Sequence, residues 1–402
     1  MSGVRHAAVQ GRGWIMSGPN GGRRVIAPMP PRDAGEAHRA ATPLELLFDL
    51  VSVIAIAAAA AGLHHAIAEG HAIQGVLHFI IGFFAIWWAW MNYTWFASAY
   101  DNDDVVFRIL TLVLMAGSLV MAAGIRDMVV SLDLTLAIAG YVVMRVAMVL
   151  FWLRAARHDP VRRKTALTYA AGVFLVQILW VGFGALQPLP EVWIYVLFAI
   201  GVVLELAVPV IAERMTATPW HRHHIIERYG LLTIIVLGET LLSGSMAIQA
   251  SGAALDAALV SLAFTALVIV FAMWWLYFSR EDHLQTDDLS RALVWGYGHF
   301  LVFASGAAVG AGFAVLVDVV SHHAHISMRQ GLFAVSVPAA VYVGALWLVR
   351  DRFLIGSGAG QIVLPGMALL VAAAPLLPFG LYTVAVLMVA TVVLRNRVVS
   401  AV

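Results

Sequence analysis

Five ionisable residues stand inside long apolar stretches of this sequence: Glu45, Asp49, Arg145, Glu205 and Glu239. An ionised group within a bilayer costs roughly 3 kcal/mol or more unless it is paired or reached by water. Such residues therefore suggest charged steps for an ion, a proton or a small solute. Glu45 and Asp49 are four apart, so on a helix they share a face, which Ser52 continues. Thr42, Pro43 and Glu45 also spell a helix start, so a capping role competes for Glu45. Arg145, at matching depth, is the expected ion-pair partner of Glu239, and Asp49 falls near the level of Glu205. A pair of this kind can also do no more than lock two helices together.

Two further constellations could hold a metal. Asp318 precedes His322, His323 and His325, and His64, His65 and His71 are expected on the same side of the membrane. A tight run of histidines on a loop is equally well read as solvated. Asp101, Asp103 and Asp104, and their counterparts Glu281, Asp282, Asp287 and Asp288, could bind Mg²⁺ together with a phosphate headgroup.

The elements that must position these groups are helices in lipid. Hydrophobic residues make up 62% of the chain and charged ones 12%, half the roughly 25% of a soluble domain. Mean hydropathy is +0.88. Twelve apolar runs, near 44–66, 73–98, 105–125, 133–153, 165–186, 191–212, 230–250, 255–278, 289–317, 331–349, 361–377 and 379–394, approach the length of about 20 residues that a spanning helix needs. Every Lys and Arg except Arg126, Arg145 and Arg329 lies in a terminal segment, in an even-numbered gap or, as Arg108 and Arg291 do, within the first four residues of the run that follows one. Basic connections resist translocation, so both termini are expected in the cytoplasm. The connections leave no room for a soluble domain. Residues 1–41, with six Arg and several Gly and Pro, read as a disordered basic tail lying against the anionic inner leaflet.

The chain also repeats. Trp87-Trp88 precedes an acidic gap and Arg108, and Trp274-Trp275 precedes a second acidic gap and Arg291. The fourth run ends Trp152-Leu153-Arg154 and the tenth Trp347-Leu348-Val349-Arg350. Six runs per half give both halves one polarity, as in a parallel repeat. The expected architecture is an all-α integral membrane protein of about twelve helices. Residues 42–215 and 216–402 are its two six-helix repeats. Trp87, Trp88, Trp90, Trp95, Trp274, Trp275 and Tyr277 read as an inner aromatic belt. His221, Arg222, His223, His224 and Arg228 read as a basic loop on the headgroups. Gly306, Gly310 and Gly312 allow close helix approach.

Several chemistries are excluded. No cysteine is present and net charge is +1, so disulfides, thiol catalysis and a nucleic-acid footprint are absent. No phosphate-binding loop, nucleophile elbow, His-Glu-x-x-His or dinucleotide fingerprint occurs.

Two motifs carry a family resemblance. Glu45-Leu46-Leu47-Phe48-Asp49-Leu50-Val51, followed by Ile54-Ala55-Ile56-Ala57, resembles the first signature of the bacterial low temperature requirement protein A family. Glu227-Arg228-Tyr229-Gly230-Leu231 through Ile235-Val236-Leu237-Gly238-Glu239-Thr240 resembles its second. The likeness runs from about residue 40 nearly to the end; Ser52 departs from an aromatic common at that place. It implies a multipass membrane protein linked to growth in the cold, with signature residues at Phe48, Glu227, Arg228 and Gly238, and no settled activity. More distantly, Phe48-Asp49 with its aliphatic run is similar to the Phe-Ser-Asp signature of two-repeat, twelve-helix potassium channels. That likeness implies a pore lined by the first helix of each repeat. The Ser is missing here, and the second half has Leu237-Gly238-Glu239 instead.

The expected function is passage of a small ion or solute across the cell (inner) membrane. Asp49, Glu239 and Glu45 would lie on the path, with Arg145 and Glu205 nearby; a coupled proton would ride on Asp49 or Glu239. The alternatives are an enzyme acting on a lipid or isoprenoid phosphate and a non-transporting sensor or scaffold. Expected partners are the bilayer and the small solute, a homo-oligomer being compatible with the sequence; no cofactor and no nucleic acid are expected.

Overall fold

The computed structural model describes residues 26–33, 35, 36, 39–251, 256–280, 284, 289–355 and 360–400. Every regular element among these residues is helical. The first half comprises α1 (Pro43–Ala68), α2 (Ala72–Tyr100), α3 (Val105–Ser131), α4 (Thr135–His158), α5 (Arg163–Ala185) and α6 (Glu191–Glu213). The second comprises α7 (Arg222–Ala250), α8 (Ala257–Phe278), α9 (Leu289–Val320), α10 (Met328–Leu346), α11 (Gly360–Ala373) and α12 (Gly380–Ser400). A π turn at Trp347–Asp351 prolongs α10. Among the described residues eleven helices are long and apolar enough to cross a membrane. The expected run 361–377 is a shorter apolar stretch, Gly360–Leu376, whose last turn is a 3-10 turn containing Pro375. At 1.5 Å per residue it reaches about 25 Å, short of a hydrocarbon core of about 30 Å.

Local chemistry starts the helices where the sequence suggests. Thr42 and Glu45 form a capping box on α1, with Pro43 at its first position. Ser327 and Gln330 do the same for α10, and Asp104 caps α3 through the Phe107 amide.

Two helices occupy the centre. The apolar window of α9 is 83% buried and that of α2 61%, against 22% for α6. They meet through aromatic side chains: Trp87 on Phe300 at 5.3 Å, Trp88 on Tyr297 at 5.6 Å and Trp90 on Phe303 at 5.8 Å. These three tryptophans are 2% exposed or less, so they form the core and not the expected lipid belt. A helix that is apolar on all sides gains most from being surrounded. Trp274 and Trp275 do face outward.

Neighbour order repeats between the halves. α1 packs on α3, α3 on α4, α4 on α5 and α5 on α6; α7 packs on α9, α9 on α10, α10 on α11 and α11 on α12. Small residues permit the closest crossings. A Cβ on Gly117 would lie 2.7 Å from the Gly140 carbonyl, and one on Gly310 2.9 Å from the Thr240 Cα. The glycines expected to bring α9 close to its neighbours therefore do so.

The stretch expected as a free tail is partly docked. Met29 is fully buried, the Ala27 amide donates to Asp104 at 2.8 Å, and the Arg32 amide donates to the Ala99 carbonyl at 2.9 Å. Unfilled carbonyls and a carboxylate at the α2–α3 junction give these residues partners. Residues 1–25 lie outside the described residues.

Gly140→Val is expected to destabilise the α3–α4 crossing by about 2 kcal/mol or more, because the new atoms meet backbone that cannot yield. Gly182→Ala, whose Cβ would meet nothing within 4 Å, is the control and leaves the thermal midpoint in detergent unchanged or slightly raised.

Candidate functional site

The signature residues of the two motifs converge. Glu45 and Asp49 point from one face of α1 toward His224 and Arg228, which are four apart on α7. The Arg228 guanidinium grips the Asp49 carboxylate with Nη2 at 2.5 Å and Nε at 3.2 Å, the paired geometry that arginine favours. Its Nη1 stands 3.0 Å from Glu45 Oε1, and His224 Nε2 stands 3.0 Å from the same oxygen. Glu45 Oε2 accepts the Thr42 amide at 2.8 Å. Glu45 thus serves both as cap and as counter-ion. From α2, the Trp90 indole donates to Asp49 at 2.6 Å. All four charged or titratable side chains are fully buried. Phe48 packs on Tyr93 at 4.5 Å between ring centres, and Glu227 accepts the Ala41 amide at 3.2 Å. His221 and His224 are likewise buried and not on a headgroup-facing loop. Gly238 is exposed, and a Cβ there would meet nothing.

Arg39 extends the cluster. It donates to the carbonyls of Ala97 at 2.8 Å and of Ser98, filling acceptors left open at the end of α2. It lies 3.8 Å from Glu45 and 3.7 Å from Asp101. Burial and the nearby Glu45 charge push the Asp101 carboxyl up to about 6.

Arg145 pairs with Glu205, not with the expected Glu239. The Arg145 Nη2 donates to Glu205 Oε2. Three further donors saturate this carboxylate: Trp88 at 2.9 Å, Tyr141 at 2.7 Å and Trp180 at 3.1 Å. Glu239 accepts only from Ser243, at 2.8 Å, and is half-exposed on the flank of α7. The reason is helical rotation. Thr240 faces α9, donating to the Gly306 carbonyl at 3.0 Å, which turns the preceding residue away.

The layer around Arg145 has unfilled polar capacity. Arg145 Nε and Nη1 and both amide atoms of Gln177 are buried without a protein hydrogen-bond partner. The stack of Trp152 on Tyr169, 4.0 Å between centres, and the approach of Ile138 to Gly184 fix the antiparallel register of α4 and α5. That register sets Arg145 level with Gln177. A cavity lies on either side of the layer. One, of about 40 Å³, is lined by Trp88, Trp95, Trp152, Tyr169 and Glu213. The other, of about 50 Å³, is lined by Phe84, Ala85, Tyr141, Trp180 and Phe198. By this measure a single water needs roughly 10–15 Å³. Along α4, α5 and α6 alike, the layer residues Arg145, Gln177 and Glu205 fall between the residues of the two cavities.

The expected metal groups do not assemble. Asp318 accepts from His64 at 2.6 Å, and His325 lies 3.0 Å from Glu69. The two contacts tie the end of α1 to the last turn of α9 and to the loop that follows it. Among the described residues no group of three or more His, Asp or Glu is placed to hold a metal, so Asp318 does not gather His322, His323 and His325. In the first acidic gap, Asp103 pairs with Arg108 at 2.6 Å, Asp104 with Arg154, and Asp101 approaches Arg39, so arginines occupy the carboxylates expected to bind Mg²⁺. Glu281, Asp282, Asp287 and Asp288 lie outside the described residues.

Sequence reasoning missed Arg228, Arg39, His224 and Trp90 as partners of the α1 acids. One signal was available: a pair of acids four apart on one helix and a His and Arg four apart on another are complementary.

The family model described as Bacterial low temperature requirement A protein (LtrA) matches residues 40–396. An uncharacterized protein of Rhizobium meliloti (strain 1021) is 29% identical over 360 residues, covering 83% of this chain and 82% of its own length.

Arg228→Met leaves Asp49 buried without its counter-ion and is expected to destabilise the protein by about 3–5 kcal/mol. Adding Asp49→Leu should recover much of that loss, read as thermal midpoints in detergent; equal loss in single and double variants would contradict the pairing. Asp101 gives a pH signature. Its folded pKa is raised, so the stability it contributes is complete below about pH 4 and lost as pH rises through about 6. Asp101→Asn should therefore gain stability relative to the parent as pH rises from about 4 to about 6, and a flat difference across that range would contradict the assignment.

Proposed function

This chain belongs to the bacterial low temperature requirement A protein family, and we propose that it passes a small ion or solute across the cell (inner) membrane through its first six-helix half. The supporting observation is the layer of Arg145, Gln177 and Glu205, in which Arg145 and Gln177 keep open hydrogen-bonding capacity, with a cavity on each side. A layer that served only to hold helices would gain by filling every donor and acceptor, since each unpaired buried group costs about 1–3 kcal/mol. A passing guest, or the water that travels with it, meets that capacity.

The route differs from the one between the first helices that the sequence suggested. Asp49 and Glu45 are closed by Arg228 and line none of the four described cavities, and Glu239 faces away from the centre. The charge cluster of α1 and α7 acts instead as the pin that joins the two halves. The recurring neighbour order supports two parallel repeats, residues 42–215 and 216–402. The arginine-rich end, with Arg39, Arg154, Arg350 and both termini, belongs in the cytoplasm by the bias of basic connections.

Proteoliposome shrinkage and pH-dye assays over a panel of small ions and polar solutes test the route. Ala85→Trp, which fills the second cavity, and Gln177→Leu should each abolish the flux of the parent. Flux that survives both but disappears with Glu239→Gln would return the path to the flank of α7 and overturn this reading.

A further inference from the structure

The buried carboxylates of the described residues share one habit. Glu45, Asp49, Asp101, Asp104, Asp159, Glu205 and Asp351 each have an arginine within 4.0 Å. Glu213, 9% exposed, is the exception: it enters none of the ion pairs among the described residues. Its oxygens accept only neutral donors, Tyr169 Oη, Thr218 Oγ1 and the Thr218 amide, each at 2.8 Å. An ionised group withdrawn from water calls for an opposite charge. Here the Arg162 charge acts only from beyond ion-pair distance, and the chain offers neutral donors and aromatic rings close by.

Glu213 lines the first cavity together with Trp88, Trp95, Trp152, Tyr169 and Trp220. Trp152 and Tyr169 stack in parallel at 4.0 Å, and Trp95 and Trp220 meet edge to face at 5.1 Å. Indole and phenol faces attract diffuse, weakly hydrated cations and favour alkylated ammonium groups. A hard metal ion would want several oxygens, and no second carboxylate lines this space. The volume of about 40 Å³ admits a small headgroup only. We propose that this cleft, framed by α2, α4, α5, α6 and α9, binds a small organic ammonium, with Glu213 as counter-ion and the tryptophans as its cage. As the substrate class of the route through the first half, this rests on the passage reading; as a binding site it is tested apart from it.

The test titrates the intact, detergent-solubilised protein with tetramethylammonium chloride and with choline chloride, following tryptophan fluorescence and calorimetric heat. tert-Butanol serves as the uncharged isostere and sodium chloride as the ionic-strength control. Saturable binding of the ammonium ions but of neither control is expected. Glu213→Gln should weaken it about tenfold or more, and so should Trp220→Leu, which leaves the hydrogen bonds of Glu213 in place and keeps the test open if the first variant fails to fold. Glu239→Gln, remote from the cleft, should bind as the parent does. An equal response to tert-butanol, or ammonium binding indifferent to both cleft variants, overturns the proposal. Binding without flux in liposomes would sink the passage reading and leave this site standing; flux of other solutes without ammonium binding would do the reverse.

Discussion

The grip of Arg228 on Asp49 and Glu45 is the contact on which the rest of the structure depends. It joins the first helix of one half to the first helix of the other, with the indole of Trp90 closing it from α2. Two carboxylates on one apolar helix face would otherwise repel each other in a medium that screens little. With Arg228 between them, α1 and α7 are held in one rotation. That rotation settles which residues meet α9 and which face the membrane.

Arginines have a second duty at this end of the bundle. Arg39 donates to the last carbonyls of α2, and Arg350 donates to the Leu276 and Tyr277 carbonyls at the end of α8, both at about 2.8–2.9 Å. Cations there also meet the negative end of the helix dipole. Asp351 then bridges Arg350 to Arg395 on α12. The basic residues that would set orientation during insertion are therefore the same ones that tie the helix ends after folding.

The halves diverge in use. The first half keeps a polar layer with open donors and acceptors, cavities above and below it, and a carboxylate that lines a cavity with aromatic rings and joins no ion pair among the described residues. The second half contributes α9, the most enclosed helix, whose glycines bring α7 and α10 into close contact. The first half thus keeps a polar layer between two cavities where the second keeps a packed core.

Hydropathy, arginine placement and the helix start at Thr42 were enough to read the helices, because lipid forces each spanning segment to satisfy its own backbone. The short eleventh helix was misjudged only in length, where Pro375 ends it. The sequence also singled out Glu45, Asp49, Arg145, Glu205 and Glu239 as costly and therefore meaningful. It could not say who pairs with whom. Depth along a helix is legible from residue count, but rotation about the helix axis is decided by packing against neighbours. Arg145 thus met Glu205 and not Glu239, and Asp318 met His64 and not the histidines beside it. Trp87 and Trp88 turned into the core while Trp274 and Trp275 turned out. The position of Glu213 among aromatic rings was likewise invisible, since those rings come from three helices and a loop that only the tertiary structure brings together.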